Sequence, residues 1–326
     1  MIRRSFSAAA AMLGALLFFP LPHLHSQPKG ESIVLSILKG PSGIAAGWLV
    51  SSPPILDSAK IEFLYAGSAD LVVAKLLSGE IDAGVLPVNV AAKLHSSGVP
   101  LKVAAVVGNG MVKLLSSDSS ISSLGKLRGA SIHVAGQKAT PDYLFRYLMA
   151  KEGMEAGKDY TPRYNLAYPE AAAQLAAKKL PYAVLPEPFA TQALLLNPSL
   201  FSPIDLTALW KRHTGLESYP MSVFFAMPRL YEKHPAAFLA IGKAYAASVA
   251  KTNEDPKETG LLIESLDLGM KAAIAQKAIP NSAYVFENGS EAKRSLETLL
   301  GLFLSFDPQS VGGKLPDDSF YSLLAR

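Results

Sequence analysis

Hydrophobic positions along this chain form short strand-like runs that alternate with segments of helical periodicity. Runs at 32–38, 60–65, 83–86 and 101–107 are separated by helical patterns that begin near Ile44, Ser68 and Val88. Strands that alternate with helices pack as a mostly parallel sheet with helices on both faces. The pattern therefore predicts an α/β fold.

The same order of elements then starts again. Strand-like runs follow at 130–135, 161–166 and 183–185, with helical patterns at 142–152 and 169–178. Residues 83–91 match residues 182–190 at an offset of 99, and both segments contain Val-Leu-Pro-x-x-x-Ala. The turns at Gly40 and Gly136 keep nearly the same register, with an offset of 96. Chance similarity is one explanation; the other is two similar lobes whose loops face each other across one cleft.

The last third of the chain has a different pattern. A strand at 223–227 precedes four predicted helices, at 236–251, 256–266, 270–277 and 291–306. A helical tail of this kind packs back on the first lobe, which predicts two hinge crossings near 111–116 and 219–225. The expected division is residues 27–113 and 226–326 in lobe 1, and residues 114–225 in lobe 2.

The first 26 residues have the pattern of a signal peptide. Met1–Arg4 is basic, Phe6–Phe19 is apolar, and prolines follow at 20 and 22. Residues 1–26 are therefore predicted to be removed, and the mature protein is expected in the periplasm. Export through the general or the twin-arginine route stays open.

Charge and cysteine usage exclude several classes of protein. The formal charge of +4 from 31 basic and 27 acidic residues becomes 29 − 27 = +2 without Arg3 and Arg4, which gives no support for nucleic-acid binding. The chain has no cysteine. Disulfides, thiolate metal sites, a cysteine nucleophile and a lipoprotein anchor are therefore excluded.

Motifs for catalysis are not found. The turn at Gly40–Gly43 lacks the spacing and lysine of a phosphate-binding loop, and neither a dinucleotide fingerprint nor a nucleophile elbow occurs. His133 and the other histidines are expected in solvent-facing or capping positions, and Asp82 in a surface turn. We therefore expect a binding protein that is not an enzyme, without a metal or cofactor.

The loops after the predicted strands are the candidate ligand-binding site. Exposed backbone amides at helix starts favour anionic or strongly polar groups. Helix capping is the alternative for Ser68 and Thr140, and core packing for Trp48. No capping pattern requires Glu187, which is either a ligand contact or a solvated charge. The candidates are Pro41, Ser42, Gly43, Ile44, Trp48, Ser68, Asn89, Asn109, Lys138, Ala139, Thr140, Asn165, Glu187 and Tyr219.

Three longer motifs carry a family resemblance. The segments LLSGEIDAGVLPVNVAAKL, LGKLRGASIHVAG and AVLPEPFATQAL are similar to those of soluble substrate-binding proteins of ABC importers, in the nitrate/sulfonate/thiamine-precursor-like superfamily (periplasmic binding protein type II). The resemblance implies two Rossmann-like α/β lobes joined by a hinge with two crossings. It also implies a monomer that closes over one small molecule. A membrane permease would then recognise the closed form.

One departure from the family pattern concerns a turn. Lobe 2 has Lys178–Tyr182 where Gly79–Asp82 provides the family's Gly-x-x-Asp, so the turn is expected to be altered.

The function expected from the resemblance is the extracytoplasmic solute-binding component of an ABC importer. Its ligand would be a small organic molecule, either anionic or heterocyclic, and an anion would contact Lys138. Two alternatives stay open. One is a lyase or dehydratase of the menaquinone-pathway type on the same fold. The other is a ligand-sensing domain of a membrane receptor.

Overall fold

The computed structural model describes residues 31–57 and 59–322. The predicted signal peptide lies outside the described residues. Within them the strands are β1 (Glu31–Leu38), β2 (Ala59–Ala66), β3 (Ala83–Pro87), β4 (Lys102–Asn109), β5 (Val112–Ser116), β6 (Ser131–Val134), β7 (Thr161–Arg163), β8 (Tyr182–Pro186), β9 (Phe201–Ile204) and β10 (Pro220–Ala226).

Helices connect these strands and form the C-terminal part of the fold. They are α1 (Pro41–Ala45), α2 (Gly47–Ser51), α3 (Ala69–Leu77), α4 (Val88–Ser96), α5 (Thr140–Lys151), α6 (Tyr168–Ala176), α7 (Phe189–Leu196), α8 (Leu206–Thr214), α9 (Pro228–Tyr231), α10 (Pro235–Glu254), α11 (Pro256–Ser265), α12 (Ala272–Ala278) and α13 (Gly289–Phe306). Across residues 31–57 and 59–322, none of the helices combines the length and the apolar character that a membrane span needs.

The strands form two five-stranded sheets with the same internal order. The first sheet runs β2-β1-β3-β10-β4 and the second runs β7-β6-β8-β5-β9. In the first, β1 is parallel to β2 and β3, and β10 is antiparallel to β3 and β4. In the second, β6 is parallel to β7 and β8, and β5 is antiparallel to β8 and β9. The two-lobed α/β fold predicted from the sequence is confirmed.

The two antiparallel strands show where the chain passes between the sheets. It leaves the first sheet after β4 and enters the second at β5, and it returns to the first sheet at β10. The crossings therefore lie at 110–111 and 215–219. The expected lobe boundaries, after residues 113 and 225, fall inside β5 and β10. The hydrophobic periodicity of the sequence did not indicate that all of β5 belongs to the second sheet and all of β10 to the first.

The C-terminal helices pack against the first sheet and its helices. The four helices predicted from periodicity are present as α10 to α13, with ends that shift by three residues or fewer. Helix α10 packs on α1 and α2, and α13 packs on β4, β10 and α4. The first lobe thus contains residues from both ends of the described chain.

The lobe 2 turn expected to be altered keeps the conformation of its lobe 1 counterpart. Lys178 has a φ of 59°, close to the 73° of Gly79 at the same repeat position. The backbone hydrogen bond from Gly79 to Leu76 has its counterpart from Lys178 to Leu175. The expectation of an altered turn was wrong, because a lysine adopts the left-handed conformation here at a local energetic cost.

Asp82 has a structural role that the sequence did not predict. It is buried rather than in a surface turn. Its carboxylate accepts two hydrogen bonds from the guanidinium of Arg229 and one, of 2.8 Å, from the backbone N–H of Val34. Arg229 also donates to the carbonyl of Ser32 at 2.9 Å. Because Arg229 lies 147 residues away in the chain, local sequence could not indicate this partner.

The first prediction tests this ion pair. Asp82→Ala leaves the N–H of Val34 and the guanidinium of Arg229 without their carboxylate, so we expect a loss of about 2–3 kcal/mol in the free energy of unfolding. Urea denaturation measures the loss. Asp57→Ala, at an exposed loop position, is the control and should change stability by less than about 0.5 kcal/mol. Equal effects of the two substitutions would contradict the role assigned to Asp82.

Candidate functional site

The two lobes meet through loops at the carboxyl ends of their parallel strands. The turn after β1 contacts the start of α7: a Cβ on Gly40 would lie 3.3 Å from Cζ of Phe189. The start of α4 contacts the turn before α5, because Asn89 binds the carbonyl of Lys138. The loop after β1 thus meets the loop after β8, and the loop after β3 meets the loop after β6. Such crossed pairing is expected of two similar lobes related by a two-fold axis.

Asn89 bridges three segments of the chain. Its side-chain amide donates to the carbonyl of Lys138 at 2.9 Å and to the carbonyl of Ser310 at 3.3 Å. Its amide oxygen accepts a hydrogen bond of 3.2 Å from the hydroxyl of Thr140. Asn89 and Thr140 are both buried. The described lobes are therefore held in a closed arrangement, with the polar groups of Asn89 engaged by protein atoms.

A second contact between the lobes lies between α5 and the end of α13. The rings of Tyr143 and Phe303 are 5.7 Å apart. Arg146 lies over the rings of Tyr143 and Phe306 and is 3.5 Å from the carboxylate of Asp307. Aromatic packing and a partly exposed ion pair thus supplement the hydrogen bonds of Asn89.

Two glycines that correspond in the repeat enclose a pair of stacked aromatic rings. Tyr168 and Phe189 stack with centroids 5.2 Å apart and an interplanar angle of 17°. Gly40 has a φ of 102° and Gly136 a φ of 82°. A Cβ on Gly40 would press on Phe189, and one on Gly136 would overlap the hydroxyl of Tyr168. Both turns need glycine for their backbone conformation and for the room it leaves to the rings.

Glu187 is fully buried and lies two residues before Phe189 in the chain. One carboxylate oxygen accepts the backbone N–H of Thr191 at 3.0 Å, in the first turn of α7. The other lies 3.0 Å from Nζ of Lys113 on β5. The expectation that no capping pattern requires this acid was wrong, because Pro188 precedes the helix and has no side chain that can cap it. The carboxylate of Glu187 takes that role.

Residues of the GPSGIAAGW segment have different surroundings. Ser42 is buried and lines a small cavity in lobe 1, while Gly43 and Ile44 pack in the interior of that lobe, and Pro41 is half-buried at the start of α1. Trp48 donates from its indole to Thr259 at 2.9 Å, with Nζ of Lys251 3.4 Å above the ring. Trp48 therefore fastens α2 to α10 and α11.

Several other candidates have local structural roles. The hydroxyl of Ser68 accepts the N–H of Leu71 at 3.3 Å and caps α3. Thr140 begins α5, and Ala139 occupies the N-cap position that had been expected for Thr140. The side chain of Asn109 donates to Glu287 at 3.2 Å.

The remaining candidates are Lys138, Asn165 and Tyr219. Lys138 and Asn165 are exposed. Lys138 contacts Asn89 through its carbonyl rather than through its ammonium group. Tyr219 is buried at the second crossing, where its carbonyl accepts the N–H of Gly110 at 3.0 Å and its ring packs on Trp210. The structure therefore brings together Asn89, Lys138 and Thr140 on one side, and Gly40 and Glu187 with its neighbours on the other.

Sequence reasoning missed several residues near the lobe contact. Lys113 was predicted only as part of the hinge segment 111–116, and Tyr168 was not among the candidate ligand-binding residues. Ser36, Tyr245 and Tyr284 are buried polar residues within apolar runs. Phe189 lies in the repeated Val-Leu-Pro-x-x-x-Ala segment, and this repeat could have indicated that it lies near the site. The other residues are brought to the site by segments that are distant in the sequence, so no local pattern could have indicated them.

Charged side chains near the site are partly shielded from water. Burial, the largest cause, raises the pKa of the Asp142 carboxyl. Hydrogen bonds from the N–H of Lys138 at 2.9 Å and the hydroxyl of Tyr164 at 2.8 Å oppose this shift. Burial also raises the pKa of Tyr168 to about 12.

His133 is buried rather than solvent-facing, and burial lowers its pKa. One ring nitrogen lies 3.2 Å from the carbonyl of Leu166. Among the residues that the structure describes, no group of three or more histidine or acidic side chains is arranged to hold a metal ion.

The second prediction uses the pKa of Asp142. Because this pKa is raised on folding from its ordinary value of 3.8, the folded state binds more protons than the unfolded state as the pH rises above that value. The contribution of Asp142 to stability therefore decreases with rising pH. The melting temperature of Asp142→Asn minus that of the native chain should therefore increase from acidic to neutral pH. A parallel pH dependence of the two proteins would contradict the shift, and Asp57→Asn is the control.

The third prediction concerns the bridge made by Asn89. Asn89→Ala removes three hydrogen bonds between segments, which we expect to weaken the closed arrangement by about 1–3 kcal/mol. Small-angle scattering should then give a larger radius of gyration. Asn197→Ala is the control, since Asn197 binds the carbonyl of Ala176 within lobe 2. If the radius of gyration stayed unchanged in Asn89→Ala, the bridge would not be what holds the lobes together.

Comparisons with known proteins support the family predicted from the sequence. A model of the NMT1-like family matches residues 58–260. A solved structure of an ABC transporter from Parabacteroides distasonis is 31% identical, with a TM-score of 0.75 over 89% of this chain and 98% of that one. No curated protein shows significant similarity to the chain.

More distant solved structures share the fold. The periplasmic aliphatic sulphonate-binding protein SsuA from Escherichia coli is 19% identical, with a TM-score of 0.68 over 87% of this chain and 90% of that one. The periplasmic nitrate-binding protein NrtA from Synechocystis is 14% identical, with a TM-score of 0.62 over 86% of this chain and 83% of that one. By its match over more than half of its length, the chain belongs to the NMT1-like family and has the two-lobed fold of periplasmic substrate-binding proteins.

Proposed function

We propose that this protein is the extracytoplasmic solute-binding component of an ABC importer. It binds a small organic molecule between its lobes and delivers it, as a monomer, to a membrane permease. The main support for the proposal is the pair of loop contacts between the lobes. Asn89 of lobe 1 binds Lys138 and Thr140 of lobe 2, and Gly40 of lobe 1 lies against Phe189 of lobe 2. Loops from both lobes meet in these contacts, so that a molecule bound between them would contact both lobes and favour their closure.

Export is part of the proposal. Residues 1–26 act as a signal peptide, and a chain without cysteine cannot carry a lipoprotein anchor. Release into the periplasm follows from these two features and agrees with the periplasmic proteins that share the fold.

The hinge of the proposed closure lies at the two crossings. Gly110 and Tyr219 are joined there by a backbone hydrogen bond of 3.0 Å, so the two connecting segments lie side by side. Rotation about this pair would separate the loop after β1 from the loop after β8 without breaking either sheet. The ligand would then enter between Ser42 on one lobe and the segment 186–189 on the other.

The fourth prediction tests binding against catalysis. Protein from the periplasmic fraction should carry a small molecule, which native mass spectrometry identifies after purification. Ligand-stripped protein should gain thermal stability with ligand concentration as a one-site linkage requires, by about 2.7 kcal/mol at one hundred times the dissociation constant. The panel for this titration is sulfonates, nitrate, pyrimidines and aromatic acids.

Two results would contradict the proposal. Failure of every compound in the panel to stabilise the stripped protein, with no molecule recovered from the periplasmic fraction, would argue against solute binding. Recovery of a compound in chemically altered form after incubation would show that the protein is an enzyme. Asn89→Ala serves as the matched variant, because weaker closure should lower the affinity for any ligand held by both lobes.

A further inference from the structure

Three buried residues of lobe 1 carry hydroxyl groups. Ser36 is on β1, Tyr245 is on α10, and Tyr284 follows α12. They are 1%, 2% and 4% exposed. Within residues 31–57 and 59–322, the hydroxyls of Ser36 and Tyr245 have no hydrogen-bond partner, whereas the side chain of Ser282 lies beside the hydroxyl of Tyr284. A buried hydroxyl without a partner has lost its contact with water and gained nothing in return.

Ser36 and Tyr245 line the same small cavity. Its walls are otherwise mostly apolar, with Leu35, Ile37 and Phe224 on three sides. Leu38 and Ser42 also line it, at the end of β1 that faces the other lobe. The cavity therefore extends from the interior of lobe 1 toward the loops that meet lobe 2.

A neighbouring residue on the helix of Tyr245 has a hydroxyl that is fully hydrogen-bonded. Ser248 lies three residues after Tyr245 and is equally buried. Its hydroxyl donates to the carbonyl of Ala45 at 2.7 Å and accepts the N–H of Trp48 at 3.1 Å. A hydroxyl on this helix can therefore be paired with backbone groups, whereas the hydroxyls of Ser36 and Tyr245 are not.

The charges around the cavity disfavour an anion. Its lining residues include no lysine, arginine or histidine. Burial raises the pKa of both Tyr245 and Tyr284, so their hydroxyls stay protonated and donate hydrogen bonds at neutral pH. The negative charge of Glu187 also acts on Tyr284, and the ammonium of Lys113 is already paired with that carboxylate.

The Ser36–Tyr245 cavity has a volume of about 10 Å³, which is room for about one water-sized group. We propose that it takes the hydrogen-bond-accepting atom of an uncharged head group of the ligand, such as the oxygen of an amide carbonyl. The inference rests on the proposed function and narrows its ligand class. The apolar body of the ligand continues from the cavity toward Ser42 and the segment 186–189. A carboxylate, sulfonate or nitrate placed in the cavity would lose its hydration without meeting a cation.

Two variants remove the hydroxyls and keep the rest of each side chain in the wall of the cavity. Tyr245→Phe and Ser36→Ala should leave the melting temperature of the ligand-free protein unchanged or raise it, since each removes an unpartnered buried group. The same variants should weaken the binding of benzamide about 5- to 10-fold, as expected for one lost hydrogen bond. Tyr160→Phe is the matched control: its hydroxyl is also buried and unpartnered, but it lies in lobe 2, outside the cavity.

Benzamide and benzoate are the probes, because they share a ring and differ in the charge of the head group. Titrations followed by NMR should show tighter binding of benzamide than of benzoate to the native chain, and Tyr160→Phe should bind benzamide like the native chain. Benzoate binding as tightly as benzamide, or no binding of either, would overturn the inference. So would lower melting temperatures for both cavity variants with unchanged benzamide affinity, which would show that the hydroxyls only hold a structural water.

The inference and the proposed function fail in different ways. A sulfonate or carboxylate recovered from the purified protein would overturn the uncharged head group and leave solute binding in place. Chemical conversion of a recovered compound would overturn the proposed function, while the comparison of benzamide with benzoate would still decide which head group the cavity accepts.

Discussion

Each sheet of this protein depends on one strand that arrives directly from the other lobe. Strand β10 separates β3 from β4 in the first sheet, and β5 separates β8 from β9 in the second. The chain must therefore cross between the lobes at both of these strands, and it does so where Gly110 and Tyr219 are hydrogen-bonded. This constraint keeps the crossings side by side and turns the carboxyl ends of both sets of parallel strands toward each other.

The contact between the lobes follows from that arrangement. The loops after β1 and β3 meet the loops after β8 and β6, respectively, and each pair uses a different kind of interaction. Asn89 supplies hydrogen bonds on one side, and the rings of Tyr168 and Phe189 lie between two glycine turns on the other. Side chains that could hold a ligand are therefore also those that hold the lobes together, so ligand binding and closure are expected to be coupled.

The charges near the site are mostly neutralised within the protein. Glu187 is paired with Lys113, and Asp142 accepts hydrogen bonds from Lys138 and Tyr164. The ammonium of Lys138, the cation that the sequence offered for an anionic ligand, is exposed. What stays available in the interior is a set of neutral hydroxyls, which is the reason we infer an uncharged head group, although the sulphonate- and nitrate-binding proteins that share the fold bind anions.

The sequence by itself determined the elements and their repetition. The match between residues 83–91 and 182–190 corresponds to strands β3 and β8, which have the same length and the same offset. These features could be read because hydrophobic periodicity and glycine turns are local. The tertiary structure alone decided the pairing of Asp82 with Arg229 and of Glu187 with Lys113, the sheet to which β10 belongs, and the burial of Ser36 and Tyr245 in one cavity. Each of these joins residues far apart in the chain, and no local pattern records which distant segment will supply the partner.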